Sequence, residues 1–333
     1  MNGRLQLAMA GAITVALAIA VWAFAPFESP PPADPGAGTI QPAADQNTID
    51  VQLVAVIDAA KAAATQAAAD AAGADAVAAS AGDIAEQAAR SAADGKAAAD
   101  KAIATAAKAC RTPGPRQGCA SAGDGTRYEG EQSCRAEGCG PDGFGVLIDT
   151  RRGWESRGQW KDWSLVLGCD LMKDVITYCG QQVASAWSGP GISYNENAAA
   201  ISAIWLNGSG KNPIQLDYPG GSRMRGEMAN YELDGLGVYD RSDGRVLRGR
   251  WRAAKLVSGV VAYPGTGDVA SGKFAEGFAQ SGSIRYRDGR IFVGDIEDGA
   301  ALAQARPRRG VLYAPDGTIE AQGAWSNGVP DAK

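Results

Sequence analysis

The chain has 333 residues, no His, 44 Gly, 16 Pro and 6 Cys, with a formal net charge of −5. Lack of His removes the commonest general base and transition-metal ligand, and with it Ser-His-Asp triads, Cys-His dyads, zinc proteases and His-containing deaminase sites. Residues 1–110 carry 6 Lys/Arg against 11 Asp/Glu, whereas residues 111–333 carry 26 of each, so neither part presents a basic footprint for nucleic acid.

Residues 1–4 hold Arg4 and precede an uncharged run of 21 residues, 5–25, long enough for a helix to cross a ~30 Å hydrocarbon core. Glu28, Asp34 and Asp45 follow, with no Lys or Arg until Lys61. The positive-inside rule then makes residues 1–4 a cytoplasmic tip and 5–25 a single-pass inner-membrane helix, with the C-terminal region in the periplasm. A cleaved signal peptide is the competing reading, since Ala23-Phe24-Ala25 has the small-x-small form. The run exceeds the usual ~7–15-residue apolar core of such peptides, and Pro26 follows the cut. Both readings export the remaining chain.

Residues 26–50 contain Pro26, Pro30, Pro31, Pro32, Pro35 and Pro42 and read as an extended linker. Composition then changes abruptly: Ala fills 29 of the 60 positions 51–110, with no Pro. Ala is the best helix former, so 51–109 is expected to be a helical stalk of roughly 90 Å at ~1.5 Å per residue. Gly73, Gly82 and Gly95 are its expected weak points. Two forms stay open, a solvated single helix or a coiled coil with a small-residue seam.

All six cysteines follow this apolar N-terminus. Cys110, Cys119, Cys134 and Cys139 lie in a Cys-rich segment, 110–145, and Cys169 and Cys179 lie beyond it. An even number in an exported chain reads as up to three disulfides, with 15 connectivities open. Zinc is the rival, but no C-x-x-C spacing and no His support it, and no metal or other cofactor is expected.

From 146 to 333 a repeat emerges. Gly158, Gly180, Ala203, Gly226, Gly249, Gly272 and Gly294 step by 22 or 23 residues, and a longer step leads to Gly323. Two residues after each leading position stands a large side chain in most units: Trp160, Trp205, Met228, Trp251, Phe274, Ile296 and Trp325. Asn207-Gly208, Asp298-Gly299 and Asn327-Gly328 supply turns inside the units; Asp243-Gly244, Asp288-Gly289 and Asp316-Gly317 supply turns between them. Such dipeptides favour two-residue hairpin turns. Each unit therefore reads as strand, tight turn, strand, turn.

The Gly-x-Trp-x-x-Gly step, with Tyr128-Glu129-Gly130, Gly143-Phe144-Gly145 and Gly235-Leu236-Gly237, resembles the MORN (membrane occupation and recognition nexus) repeat. The match is good from about 203 to 328 and degenerate from 126 to 202. The resemblance implies a mainly β fold, an elongated single-layer antiparallel sheet of stacked hairpins. It also implies scaffolding, self-association through stalk or sheet, and attachment to membranes or partner proteins, without catalytic residues in the repeat.

Repeating aromatic residues are expected to be core, since stacking hairpins buries each ring against its neighbours. Departures from the repeat are the candidate contacts: Trp163 and Tyr231 stand where other units place a turn Gly, and Trp154 and Trp187 fall outside the repeated positions. Gly208-Ser209-Gly210-Lys211 lacks the earlier Gly and the Ser/Thr of a P-loop, and Asp240-Arg241-Ser242-Asp243-Gly244 lacks EF-hand spacing. The expected function is a non-enzymatic, membrane-anchored periplasmic scaffold docking a protein of the envelope. A module binding peptidoglycan or lipid headgroups is the alternative.

Overall fold

The structure is a computed structural model that describes residues 51–111, 117–121, 125–135, 138–297 and 305–331. The apolar run 5–25, the linker 26–50 and the Asp298-Gly299 turn lie outside the described residues. Among those described, no helix is long and apolar enough to cross a membrane.

Among the described residues, one helix, α1 (Val51–Arg111), precedes nineteen strands. They are β1 (Gln117–Ser121), β2 (Thr126–Arg135), β3 (Gly138–Asp149), β4 (Trp154–Lys161), β5 (Ser164–Met172) and β6 (Val175–Val183). Then come β7 (Ala186–Tyr194), β8 (Ala200–Leu206), β9 (Ser209–Asp217), β10 (Arg223–Ala229), β11 (Glu232–Asp240), β12 (Val246–Arg252) and β13 (Lys255–Tyr263). The last are β14 (Asp268–Ala275), β15 (Phe278–Arg285), β16 (Ile291–Glu297), β17 (Arg306–Tyr313), β18 (Ile319–Ser326) and β19 (Val329–Pro330). Every strand pairs antiparallel with its neighbours in sequence, giving one continuous meander.

Turn chemistry sets this register. At one end, which we call the tip, two-residue turns place both residues at positive φ, as at Asn207 (50°) and Gly208 (79°) or Asn327 (52°) and Gly328 (79°). This handedness matches the twist of the flanking strands. At the other end, the base, the Asp of each Asp-Gly turn accepts a backbone N–H two residues on, Arg245, Arg290 or Thr318, at 2.9–3.1 Å. The side chain thereby imitates a backbone turn.

The leading glycines and glycines of the alternate strands lie on one line across the sheet. Gly226, Gly237, Gly249, Gly259, Gly272, Gly282, Gly294, Gly310 and Gly323 are consecutive register partners. Gly249 shows why: at φ 152° a Cβ there would fall 2.1 Å from Ser258 O and 2.6 Å from Gly259 Cα. Just beyond the glycine many strands carry a bulge, for example between Arg250 and Trp251 or Lys273 and Phe274. A bulge bends the strand and raises its twist. Rings of the tip halves then meet rings of the base halves edge-on: Trp160 on Tyr128, Trp205 on Tyr178, Trp251 on Tyr239 and Trp325 on Phe292, at centroid separations of 5.5–6.3 Å. The Trp160, Trp205 and Trp251 indoles each donate Nε1–H to a glycine carbonyl of the preceding strand at 2.9 Å.

The opposite face is covered by α1, which corrects the expectation of a free stalk, of a coiled coil and of a single-layer sheet. Leu53, Ala60, Ala67, Ala74, Ala81, Ala88, Gly95, Ala102 and Ala109 recur every seven residues and are all buried. A second row, Ile57, Ala64, Ala71, Ala78, Ala85, Ala99 and Ala106, holds the same period and is buried too. This is the 3–4 spacing of a coiled-coil seam, yet its partner is the sheet. Leu53 and Ile57 pack on Val293 and Val311, Ala74 and Ala78 on Val238, Ala99 on Cys169 and Cys179, and Ala102 and Ala106 on Val146. The helix therefore runs back along the strand order, its N-terminus over β16–β17.

The two lattices are commensurate. Seven helical residues rise about 10.5 Å, and two strands span about 9.6 Å, so each hairpin receives one heptad. Helix–sheet ion pairs fix the phase mid-way, Arg248 to Asp75 at 3.4 Å and Arg250 to Asp70 at 3.3 Å. The ammonium of Lys101 lies 3.8 Å from the Phe144 ring centroid.

Three disulfides, Cys110–Cys119, Cys134–Cys139 and Cys169–Cys179, take up all six cysteines. The first ties the end of α1 to β1, the second closes the β2–β3 hairpin, and the third bridges β5 and β6 beneath α1. Of the Cys-rich segment 110–145, Cys110 ends α1, and Cys119, Cys134 and Cys139 lie on sheet strands.

Candidate functional site: the row of hairpin tips

The aromatic positions of the repeat are structural. Trp160, Trp205, Trp251, Phe274 and Trp325 are all buried, and Gly158, Gly226, Gly249, Gly272, Gly294 and Gly323 form the line beneath them. At β6 the ring position is taken by Gln182, and its register partner Trp187 supplies the missing ring. Trp187 stacks on Tyr178 at 4.7 Å and 8°, and meets Trp205 edge-on at 5.3 Å. Its ring thus packs against the core while the residue stays half-buried. Trp154 is half-buried at the base end of β4, between Asp149 and Met172 in register.

Trp187 also belongs to a buried polar cluster. Asp170, 1% exposed, accepts Ser156 Oγ at 2.7 Å, Gln182 Nε2 at 3.0 Å and Trp187 Nε1 at 2.7 Å. Burial pushes its carboxyl above the ordinary value of 3.8, and the three neutral donors offset that only in part. Stability from this group is fully present below pH 3.8 and is lost as pH rises through the higher native pKa. Asp170→Asn should accordingly flatten the fall of melting temperature with rising pH in an otherwise matched series. An unchanged slope in the variant would show that Asp170 does not carry it.

Trp163 and Tyr231 do occupy tip turns. Both adopt positive φ, 69° and 63°, where a side chain costs about 1–2 kcal/mol relative to Gly. The Trp163 ring lies over Gly140, whose Cβ would fall 2.4 Å from two ring carbons. The ring is thus held on one side, while 41% of the residue stays exposed, as does 41% of Tyr231. Six strands separate the two turns, about 29 Å at ~4.8 Å per strand, so they do not form one pocket.

They belong instead to a longer row that sequence reasoning missed. Val183, Leu206, Phe278 and Val329 are also exposed, and each sits in or beside a tip turn. With Trp163 and Tyr231 they place an exposed apolar side chain at six tips along one edge, neighbouring tips about 9.6 Å apart. The legible signal was the residue flanking each tight turn: Leu206 before Asn207-Gly208, Phe278 after Glu276-Gly277, Val329 after Asn327-Gly328. Between them, Lys255 and Glu276 pair across adjacent tips. Cys110, Cys119 and Glu129 also converge, but both sulfurs are consumed by their disulfide.

No family model matches the chain, and no curated protein does. Among solved structures, the TCP domain of SAS-4 (dCPAP) from Drosophila melanogaster, in complex with a proline-rich motif of Ana2 (dSTIL), is 11% identical. It aligns over 63% of this chain and 95% of that one with a TM-score of 0.19, a likeness that carries no argument.

Proposed function

We propose that this chain is a non-catalytic docking scaffold of the cell envelope, built on MORN-like hairpins. Residues 5–25 anchor it in the inner membrane, residues 26–50 space it from the bilayer, and the helix-backed sheet stands in the periplasm as a platform. The observation that carries the reading is the row of exposed apolar side chains at the hairpin tips along one edge of the sheet. Rigid presentation lowers the ordering cost of binding, and exposed aromatic anchors such as Trp163 and Tyr231 are the residue types that dominate interface energies. Three disulfides support an oxidising location.

The test replaces both anchors by the residue that their turns favour. Trp163→Gly with Tyr231→Gly relieves two left-handed side chains, so melting temperature should hold or rise. An envelope protein that co-purifies with the native chain should be lost from the variant. Retained capture with a lowered melting temperature would make both rings packing residues and remove the docking edge. Capture lost for isolated peptidoglycan or lipid vesicles, with protein partners unaffected, would favour the surface-binding alternative.

A further inference from the structure

Among the described residues, the first and last ends of the sheet each leave half of a strand without an outer partner, and the two open halves are complementary. At the first end, β1 covers only the base half of β2: Gly118 faces Gly130 and Ser121 faces Arg127, while the tip half of β2, from Gln132 to Arg135, pairs only with β3. At the last end the situation is inverted. β19 covers only the tip half of β18, at Trp325 and Ser326, with one further bond from Asp331 N to Ala324 O at 3.0 Å. The base half of β18 has no outer strand among the described residues.

The glycine line marks the same gap. Along the β10–β17 stretch, a Cβ on a line glycine would strike the neighbouring strand, as at Gly226, Gly249, Gly272 and Gly294. Gly323 keeps the positive φ of that series, 124°, yet nothing lies within 4 Å of its Cβ position. Such a residue belongs in a sheet interior. Natural edges are usually blunted by Lys, Pro or bulges; β18 carries one bulge, at Glu320 between the partners of Leu312 and Tyr313, while Gly323 keeps the backbone of an interior position. Trp325 is also the odd member of its series: its Nε1 is buried without a partner, where Trp160, Trp205 and Trp251 each donate to a glycine carbonyl.

We infer that the occupant of this edge is β1 of a second copy of the same chain, giving head-to-tail association. Eighteen consecutive antiparallel strands make β1 and β18 run in opposite directions, so a copy carried forward along the sheet presents β1 antiparallel to β18. Continuing the glycine line pairs Gly118 of the second copy with Gly323, Ala120 with Ala321, and Ser121 with Glu320. In that arrangement β19 of one copy supplies the tip half and β1 of the next supplies the base half of one composite strand. Both halves run from tip to base. The contact is heterologous and leaves the outer ends free again, so it propagates as a filament and does not close as a dimer. It uses strand edges alone and is independent of the tip row.

The test is a register-specific cross-link in the full chain. In backbone register, Ala120 pairs with Tyr128 and Ala321 with Leu312, and the proposed pairing sets positions 120 and 321 directly opposite. A chain carrying Ala120→Cys and Ala321→Cys should form a covalent ladder of multimers on mild oxidation. A chain carrying Ser121→Cys and Ala321→Cys, one residue out of register, should not. The native chain should sediment with a mass that rises with concentration, and Trp163→Gly should leave that rise intact. Covalent dimers from Ala321→Cys alone would overturn the inference in favour of edge-to-like-edge pairing. A native chain that stays monomeric, without a ladder from the double variant, would overturn it outright.

Discussion

Gly95→Leu should be among the most damaging substitutions in α1, although every helix-propensity scale ranks it as favourable. A Cβ at Gly95 would fall 2.8 Å from Gly168 O and 3.0 Å from Gly180 N. Both are backbone atoms of the sheet and cannot rotate away. Overfilling a close-packed contact costs about 1–3 kcal/mol for small additions, and a leucine here exceeds a methyl by three carbons. Even Gly95→Ala should lose stability despite the ~1 kcal/mol that Ala gains over Gly in a helix. Gly82 is the internal control, since nothing lies within 4 Å of its Cβ position, and Gly82→Ala should be stabilising by about that amount. Chemical denaturation of the three variants reads the signs directly. A free stalk predicts that both alanine variants stabilise, so stabilisation at Gly95 would contradict the docked helix.

On the other face the largest loss is expected at Trp205. It is 1% exposed and contacts both Tyr178 and Trp187 edge-on. Its indole also holds the Gly191 carbonyl at 2.9 Å. Truncation to Ala should cost about 3–5 kcal/mol, with the carbonyl left unpaired in addition. Phe274 occupies the equivalent position without a hydrogen bond, so Phe274→Ala should cost less. Trp325, at the end of the line and without an Nε1 partner, should cost least of the three. Equal or inverted losses from urea denaturation would mean that the rings are not graded by their contacts.

The hairpins were legible because their chemistry is local. Asn-Gly and Asp-Gly announce turns, and the 22–23-residue step from Gly158 to Gly294 reports two strands and two turns. Half of the glycine line was not read from that step. Gly168, Gly191, Gly237, Gly259, Gly282 and Gly310 belong to the alternate strands, and only register shows that they join the same row. Trp187 eluded the pattern because its ring enters from the strand facing Gln182, five residues after the position where the repeat places a ring.

The helix shows where local reasoning ends. The seven-residue recurrence from Leu53 to Ala109 is present in the sequence and identifies one buried face. It does not say what covers that face, because small side chains permit close approach equally well to a second helix or to a sheet. What decides here is the match between about 10.5 Å per heptad and about 9.6 Å per hairpin, which relates segments as distant in sequence as Leu53 and Val311. Trp163 and Tyr231 teach a related point. Bulky residues in a turn that prefers Gly signal a demand from outside the turn, and Gly140 beneath Trp163 meets only part of it.

The docked helix organises everything else: it covers one face, leaves the rings to fill the other, and leaves the tips and strand edges for partners. A photo-reactive side chain at position 57 tests it most directly, because Ile57 is 2% exposed and packs with Leu53 on Val293 and Val311. Irradiation of the full chain should attach residue 57 within the same molecule to the stretch between Val293 and Ile319, more than 230 residues away in sequence. Attachment to residues 51–111 of another copy would instead establish a coiled-coil stalk, and would contradict the helix-backed sheet.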